Sequence, residues 1–495
     1  MKNILSPTPF IILLFLLLGC GSQGKLRQPE AASDPLVALQ AQIDQILADS
    51  VLLRTRTGLK VVSLQSGETL YARDSRYLYN PASNMKLLTT AAALKRLGPD
   101  FRYQTTLWAD SAAVQDSIIS GDIYLKGSGD PDLLRDGLRR LTGQLKALGI
   151  RRIAGDLRCD ESYMDDLYWG SGWMWDDVSG WYWAPISALT VEDNCVTVTV
   201  TPGEAAGDPL EVSIDPPTAY MQIDNRGRTA APTDSASLKA YKVERVWRPV
   251  AKNVVAVEGG LSLDAAPRRY TIDVVDAALY TGALMQELLR EEGITIAGTV
   301  QRGIVPENAR LLAEHRSPPL TAIVLNTNKI SDNLSAELLL KTVGAAVKGA
   351  PGTAAKGISV IYQMLDELGV DSTGYRLADG SGVSRYDLIT PDLVIELLKE
   401  MHRDFRVQAE YQASLPIAGL DGSLKYRMRD TAAANKLRAK TGTLSGVSAL
   451  AGYTTTADGE LLAFSMVMEH FVGSSSAIRK VQDRIGAAIS GFSRK

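Results

Sequence analysis

The chain has 495 residues, of which 45% are hydrophobic and 22% are charged, as in a globular protein of roughly two to four domains. A net charge of −3 without a cluster of basic residues gives no electrostatic support for a nucleic-acid partner. The three histidines are isolated and no His-Glu-x-x-His string occurs, which disfavours zinc peptidases and Ser-His-Asp hydrolases. We therefore expect no nucleic acid, metal or organic cofactor.

The N-terminal segment has the features of an export signal. Residues 10–18 form an apolar run that is too short for a stable membrane span and is typical of a signal peptide. The run ends in Leu17-Leu18-Gly19-Cys20, which resembles the bacterial lipobox. We expect residues 1–19 to be removed, Cys20 to be lipidated and residues 20–34 to form a tether. The protein is then exported and lipid-anchored in the cell envelope, facing the periplasm; a plain secretory signal is the alternative.

The elements predicted up to residue 100 are a helix, a strand hairpin and a second helix. Residues 36–49 have apolar residues at helical spacing, and residues 58–64 and 69–72 are typical of two strands joined by a tight turn. Residues 83–97 are apolar nearly all round and precede Gly98-Pro99, so we expect a buried helix that ends there.

Between residues 101 and 266 the pattern changes to short β-like segments with Gly, Pro and Asp turns, which predicts one or two all-β modules. Five of the seven tryptophans lie between Trp169 and Trp183. They are either core and lid aromatics of the inserted region or a wall for the substrate. In an exported chain Cys159 and Cys195 can form one disulfide or remain two buried thiols, and the sequence leaves both open.

Helical spacing returns from about residue 270. Strands are predicted at residues 437–440, 447–454 and 461–468, followed by a closing helix at residues 475–489. A strand hairpin at one end of the chain and three strands at the other predict an α+β fold, with an antiparallel sheet formed from both ends.

The first candidate catalytic motif is Ser83-Asn84-Met85-Lys86 at the start of the buried helix. Ser83 and Lys86 are three residues apart, so their side chains share one helix face. A serine hydroxyl needs a neighbouring base, and lysine is one only if burial or a nearby cation lowers its pKa. Lys440 is a candidate for that cation. Alone, the string is better explained as a helix cap followed by an ordinary lysine.

The second and third motifs are Ser331-Asp332-Asn333 and Lys440-Thr441-Gly442-Thr443. We expect Ser331 to pass a proton between Lys86 and the leaving amine, Asn333 to bind the substrate carbonyl or Lys86, and Asp332 to cap a helix. The third motif lies on a strand edge to which a peptide can add, with Lys440 and Thr441 binding its terminal carboxylate and Gly442 allowing close backbone approach. The N–H groups of Ser83 and Thr443 would form an oxyanion hole.

The three motifs in this order resemble those of the serine D-alanyl-D-alanine carboxypeptidases/endopeptidases, the low-molecular-mass class C penicillin-binding proteins. The resemblance extends over nearly the whole mature chain. It includes the strings that begin at Gly127, Gly172, Ser317 and Asp379. The separation of 245 positions from Lys86 to Ser331 matches the nested insert of this family and exceeds the gap in class A β-lactamases.

The resemblance implies a penicillin-binding, β-lactamase-like transpeptidase domain that is split by nested β-rich inserted domains. We expect the split catalytic domain at 35–100 and 268–495, one inserted domain at 101–170 and 250–267, and a second at 171–249.

The implied function is a serine D-Ala-D-Ala carboxypeptidase, with possible endopeptidase activity, that acts on peptidoglycan stem peptides through an acyl-enzyme on Ser83 and is inhibited by β-lactams. Two alternatives remain at this point. One is a β-lactamase on the same catalytic domain, and the other is a catalytically idle lipoprotein that binds the cell wall.

Overall fold

A computed structural model describes residues 34–177, 179–231 and 245–495. The predicted signal peptide and Cys20 lie outside the described residues. No helix within these ranges is long and apolar enough to cross a membrane. The α-helices of the described residues are α1 (Pro35–Leu47), α2 (Met85–Leu97), α3 (Arg135–Ala147), α4 (Ala277–Glu291), α5 (Leu320–Asn326), α6 (Asn333–Lys348), α7 (Ala354–Glu367), α8 (Pro391–Arg403), α9 (Gln408–Ser414) and α10 (Ser475–Gly491).

The strands of the described residues complete the secondary structure. They are β1 (Arg56–Ser63), β2 (Thr69–Arg73), β3 (Gln104–Asp110), β4 (Val114–Gln115), β5 (Ile118–Ile119), β6 (Ile123–Gly127), β7 (Arg152–Ile153), β8 (Leu157–Asp160), β9 (Cys195–Thr201), β10 (Glu211–Asp215), β11 (Gln222–Asn225), β12 (Arg228–Ala230), β13 (Arg245–Trp247), β14 (Val254–Glu258), β15 (Gly260–Ser262), β16 (Arg268–Asp273), β17 (Thr295–Ile296), β18 (Val300–Arg302), β19 (Ala309–Arg316), β20 (Arg438–Leu444), β21 (Val447–Thr455) and β22 (Leu461–Glu469).

A five-stranded antiparallel sheet combines strands from both ends of the chain, in the order β2-β1-β22-β21-β20. Strand β1 pairs with β22 in a register that places Val61 opposite Phe464. Strand β20, which carries Lys440, is the last strand on one side of this sheet. The α+β fold class predicted from the sequence is therefore confirmed.

Both faces of this sheet are covered by helices. On one face Phe464 and Met466 of β22 pack in a cluster with apolar residues of α1 and α10, including Ile43 and Ile485. Side chains alternate along a strand, so the neighbouring Ala463 packs on the other face with the helical layer that contains α2, α6, α7 and α8. Helix α2, which follows Ser83, is thus buried between the sheet and other helices, as its apolar sequence predicts.

The inserted region contains helices as well as strands. A second five-stranded sheet has the order β18-β8-β6-β3-β19, and α3 and α4 pack against it through residues such as Leu138, Leu141 and Leu284. The prediction of all-β modules between residues 101 and 266 is wrong at α3. Its leucines at positions 138, 141 and 145 have helical spacing, but Gly137 and Gly143 weaken the helix signal.

Strand pairing does not follow the predicted domain boundaries. Strands β17–β19, at residues 295–316, pair with strands of the first inserted region rather than with the catalytic sheet. Strands β14–β16, at residues 254–273, pair with β9 and β11–β13. We therefore propose that the second catalytic segment begins near residue 317 instead of 268, and that the nested domain extends to about residue 273.

Candidate active site

Ser83 lies in a tight turn directly before α2. The turn is one 3-10 segment, Ala82–Asn84. Asn80 Oδ1 accepts a hydrogen bond from the Ala82 N–H at 2.9 Å, and Ala82 has a φ of +44°, which is rare for a residue with a side chain. This conformation leaves Ser83 partly exposed at the start of the helix, whereas its neighbours are buried.

Lys86 lies one turn further along and is fully buried. Its Nζ donates to Ser83 Oγ at 3.1 Å, to Asn333 Oδ1 at 2.6 Å and to the Ser381 carbonyl oxygen at 2.7 Å. Burial lowers the pKa of Lys86 to about 8, although the carboxylates of Asp379, Asp332 and Glu337 act in the opposite direction. Near physiological pH the neutral form of Lys86 is therefore a minority, but it is far more populated than in an ordinary lysine.

The Ser331-Asp332-Asn333 motif links α6 to this lysine. Asp332 caps α6 by accepting from the Ser335 N–H at 2.8 Å, as the sequence predicts. Asn333 uses its oxygen to accept from Lys86, and its Nδ2 donates to the carbonyl oxygen of Tyr182 at 2.9 Å. The amide thus connects the catalytic helices to the inserted region.

Ser331 and Lys440 form a second pair beside the first. Lys440 Nζ donates to Ser331 Oγ and to the Thr441 carbonyl oxygen, both at 2.8 Å. Ser331 ends a π-helical turn and has a φ of +66°. Burial lowers the pKa of Lys440 well below its ordinary value, and the charge of Lys86 lowers it further. Ser331 therefore contacts Lys440 directly, whereas no hydrogen bond joins it to Lys86 within the described residues.

Strand β20 passes very close to the turn that carries Ser83. A Cβ atom added at Gly442 would lie 2.8 Å from the Pro81 carbonyl oxygen and 3.1 Å from the Ser83 nitrogen. Glycine at this position therefore allows the strand itself to approach the turn. Thr441 Oγ1 donates to Ser423 Oγ at 2.7 Å, and the sequence gives no signal for Ser423.

A cavity of about 340 Å³ opens where these elements meet. Its lining residues are Ser83, Asp177, Tyr182, Asn333, Val383, Arg385, Thr443, Leu444 and Ser445. A larger cavity of about 770 Å³ lies between α1 and α10, on the opposite side of the catalytic sheet and away from the three motifs. The described residues contain no group of three or more His, Cys, Asp or Glu side chains placed to hold a metal.

Two buried carboxylates to which the sequence analysis gave no role hold the loop behind Lys86. Glu337 accepts from the N–H groups of Gly380 at 2.9 Å and Ser381 at 2.8 Å. Asp379 accepts from the N–H groups of Gly382 and Ser384. Burial and the charge of Asp379 raise the pKa of Glu337 to about 7. The only sequence signal for Glu337 is that it is the single acid in a largely apolar helix, α6.

The aromatic segment of the inserted region borders the site. Trp173 Nε1 donates to Asp379 Oδ2 at 2.9 Å, and Trp169 stacks on Trp183 with ring centroids 4.9 Å apart. Trp175 is 79% exposed and so is not a core residue. These contacts fit an aromatic lid that is joined to the catalytic helices.

Cys159 and Cys195 are both buried and unpaired in this structure. Burial raises the pKa of each thiol above its ordinary value. Of the two options that the sequence leaves open, the structure shows two buried thiols.

The fold brings a serine hydroxyl, two buried lysines and a side-chain amide together at one cleft, an arrangement that suits a serine enzyme. The family model described as the D-Ala-D-Ala carboxypeptidase 3 (S13) family matches residues 39–489, and the chain belongs to this family. It is 39% identical to a D-alanyl-D-alanine carboxypeptidase of Actinomadura sp. (strain R39), over 94% of this chain and 86% of that protein. It is 29% identical to the D-alanyl-D-alanine carboxypeptidase DacB of Haemophilus influenzae, over 77% of this chain and 79% of that protein.

The fold also matches a solved structure along nearly the whole chain. The crystal structure of penicillin binding protein 4 (dacB) from Haemophilus influenzae superposes with a TM-score of 0.80 and 25% identity, covering 91% of this chain and 99% of that chain. A second crystal structure of that protein, in complex with a β-lactam, superposes with a TM-score of 0.71, covering 90% of this chain and 97% of that chain.

Proposed function

We propose that this enzyme is a serine-type D-Ala-D-Ala carboxypeptidase that trims peptidoglycan stem peptides through an acyl-enzyme on Ser83. The observation that carries the proposal is the buried Nζ of Lys86, 3.1 Å from Ser83 Oγ. Neutral Lys86 accepts the hydroxyl proton while Ser83 Oγ attacks the carbonyl carbon between the two D-Ala residues. The N–H groups of Ser83 and Thr443 bind the developing oxyanion.

Collapse of this intermediate breaks the C–N bond and leaves an ester on Ser83. The departing amine takes a proton that Lys440 Nζ donates through Ser331 Oγ, 2.8 Å away, while Lys86 keeps the proton that it took from Ser83 until the ester is hydrolysed. Lys440 and Thr441 bind the carboxylate of the D-Ala that leaves, and Gly442 keeps the strand close to Ser83. Water then hydrolyses the ester, which restores the Ser83 hydroxyl and releases the shortened peptide.

β-Lactams fit the same route as inhibitors. Attack by Ser83 opens the lactam ring, but the broken amide stays tethered to the acyl group, so no amine leaves the site. The ester then persists because the tethered group remains where water must approach.

We also propose that the enzyme is exported and anchored through lipid at Cys20. This proposal is supported by the string Leu17-Leu18-Gly19-Cys20 at the end of a short apolar run. A Cys20→Ala variant is expected to move from the membrane fraction of the producing cells to the soluble fraction of the envelope, whereas Ser22→Ala stays with the membrane. Equal membrane association of all three proteins would contradict lipid attachment at Cys20.

The function is tested by measuring D-Ala released from a stem pentapeptide. Wild-type protein is expected to release D-Ala, Ser83→Ala to release none, and Ser476→Ala, on the exposed side of α10, to match the wild type. A cross-linked dimer assayed in parallel tests endopeptidase activity. Failure of the wild type on the pentapeptide, together with binding to cell-wall fragments, would favour the idle wall-binding alternative. Rapid penicillin hydrolysis without D-Ala release would favour a β-lactamase.

A further inference from the structure

The catalytic cleft does not end at the cavity beside Ser83. A second cavity of about 360 Å³ lies past the turn between β20 and β21. It shares Arg385 and Ser445 with the first cavity, and Arg385 donates to the Ser445 carbonyl oxygen at 2.9 Å. The two cavities are thus neighbouring sections of one cleft, with Arg385 at their junction.

The walls of this second cavity have an excess of positive charge. Arg56 and Arg385 both line it, whereas Glu469 is the carboxylate on its wall. Glu469 is only 6% exposed and accepts from the Asn80 N–H at 3.1 Å and from Arg56 at 3.3 Å. One buried carboxylate therefore faces two guanidinium groups.

The guanidinium of Arg56 is held in place and still reaches solvent. Its Cζ lies 5.2 Å from the centroid of the Tyr79 ring, and half of its side chain is exposed. His470 lies beside it with a φ of +67°, its imidazole exposed and its Nδ1 3.4 Å from Glu469. A fixed arginine at the wall of a cavity is suited to binding a carboxylate.

The position of this cavity along β20 indicates which part of a substrate reaches it. If a peptide adds antiparallel to β20 with its terminal carboxylate near Thr441, its preceding residues run towards Ser445 and Gly446. Strand β20 ends at Leu444 and the chain turns at Ser445 and Gly446, so with the residue before the scissile bond opposite Thr443 the third residue lies opposite Ser445, which lines both cavities. The residue that arrives at the second cavity is therefore the third one on the N-terminal side of the scissile bond.

We propose that the second cavity is a subsite for a carboxylate-bearing residue at this third position, and that Arg56 binds the carboxylate. This inference rests on the proposed function, because it assumes that the peptide is cleaved at Ser83. The substrate class is an acidic peptide that ends in D-Ala-D-Ala. The subsite raises affinity for such peptides over otherwise identical neutral ones.

The test compares two tetrapeptides ending in D-Ala-D-Ala that differ only at the third residue before the scissile bond. In one this residue carries a free carboxylate, and in the other the carboxylate is amidated. For wild-type protein we expect kcat/KM to be about fivefold higher with the carboxylate peptide, mainly through KM, as for a partly exposed ion pair. Arg56→Gln is expected to bring the ratio close to one, and Arg56→Lys to retain part of it.

Arg76→Gln is the matched control, because Arg76 is 93% exposed and lies outside the cavity. It is expected to keep the wild-type ratio. If Arg56→Gln does not fold, the wild-type protein is assayed at high ionic strength instead. Salt screens an ion pair, so the ratio of kcat/KM for the two peptides must fall, and an unchanged ratio would contradict the subsite. Equal cleavage of both peptides by the wild type overturns the subsite and leaves the proposed function intact. Cleavage of neither peptide refutes both.

Discussion

Lys86 Nζ lies 3.1 Å from Ser83 Oγ, and the same nitrogen is hydrogen-bonded to Asn333 and to the Ser381 carbonyl oxygen. The lysine is therefore fixed from three directions and has no exposed surface. A base that is held in place loses little entropy when the reaction begins. This arrangement makes the protonation of Lys86 the property on which the proposed mechanism most depends.

Replacement of Lys86 by methionine tests its role as the base. Lys86→Met keeps the length of the side chain but cannot accept a proton. We expect the rate of acylation by benzylpenicillin to fall by roughly 10²–10⁴-fold, as for loss of a general base. Stopped-flow or quenched mass spectrometry measures this rate. Lys480→Met, at an exposed position of α10, is the control, and an equal rate in both variants would argue against the role of Lys86.

The acylation rate is expected to depend on pH through Lys86. The pKa of this group is lowered to about 8 because burial disfavours the charged form. Only neutral Lys86 accepts a proton, so the rate should rise between about pH 6 and pH 9 and level off above that range. A rate that keeps rising to about pH 10.4, the range of an ordinary lysine, would contradict a lowered pKa.

Glu337 is a positioning residue that acts through the Ser381 backbone and through its charge. Its carboxylate raises the pKa of Lys86, so Glu337→Gln should lower that pKa further and move the pH profile of acylation to lower pH. A purely structural role would lower the rate at every pH without moving the midpoint. The profile therefore separates the two roles.

Gly442 is expected to tolerate no side chain. A Cβ at this position would lie 2.8 Å from the Pro81 carbonyl oxygen, so Gly442→Ala must move either β20 or the turn that carries Ser83. We expect a loss of about 1–3 kcal/mol in the free energy of unfolding and at least a tenfold slower acylation.

Gly143→Ala in α3 is the control for Gly442→Ala. No atom lies within 4 Å of the added Cβ, and alanine favours a helix more than glycine does, so this change should stabilise the protein by about 0.5–1 kcal/mol. Denaturant unfolding of both variants measures the difference. Wild-type acylation and stability in Gly442→Ala would show that β20 does not need its close approach to Ser83.

The helix after Ser83 and two strands of the catalytic sheet were predicted well because the patterns that indicate them are local in sequence. The apolar helix after Ser83 and the strand patterns near residues 447–454 and 461–468 each lie within one short window, and the structure has α2, β21 and β22 there. The order of the elements, a strand hairpin first and three strands last, predicted that the sheet combines both ends of the chain, but it did not predict the pairing of β1 with β22. The cap formed by Asp332 was equally predictable, since it depends on three consecutive residues.

The parts that the sequence missed depend on contacts between distant segments. Glu337 and Asp379 are 42 residues apart in numbering, and their common role around the Ser381 backbone is visible only after folding. The pairing of β19 with β3 joins segments about 200 residues apart, which is why the predicted boundary at residue 268 does not follow the sheets. Helix α3 was not predicted because Gly137 and Gly143 lower the helix propensity of its sequence. In the folded protein the packing of its leucines compensates for that loss.

The most direct test of the account is the mass of the protein after brief exposure to benzylpenicillin, with the modified residue located by peptide mapping. We predict one long-lived adduct with the mass of the intact antibiotic on the peptide that contains Ser83, and none in Ser83→Ala. An adduct on another residue, or persistence of the adduct in Ser83→Ala, would contradict the assignment of Ser83 as the nucleophile.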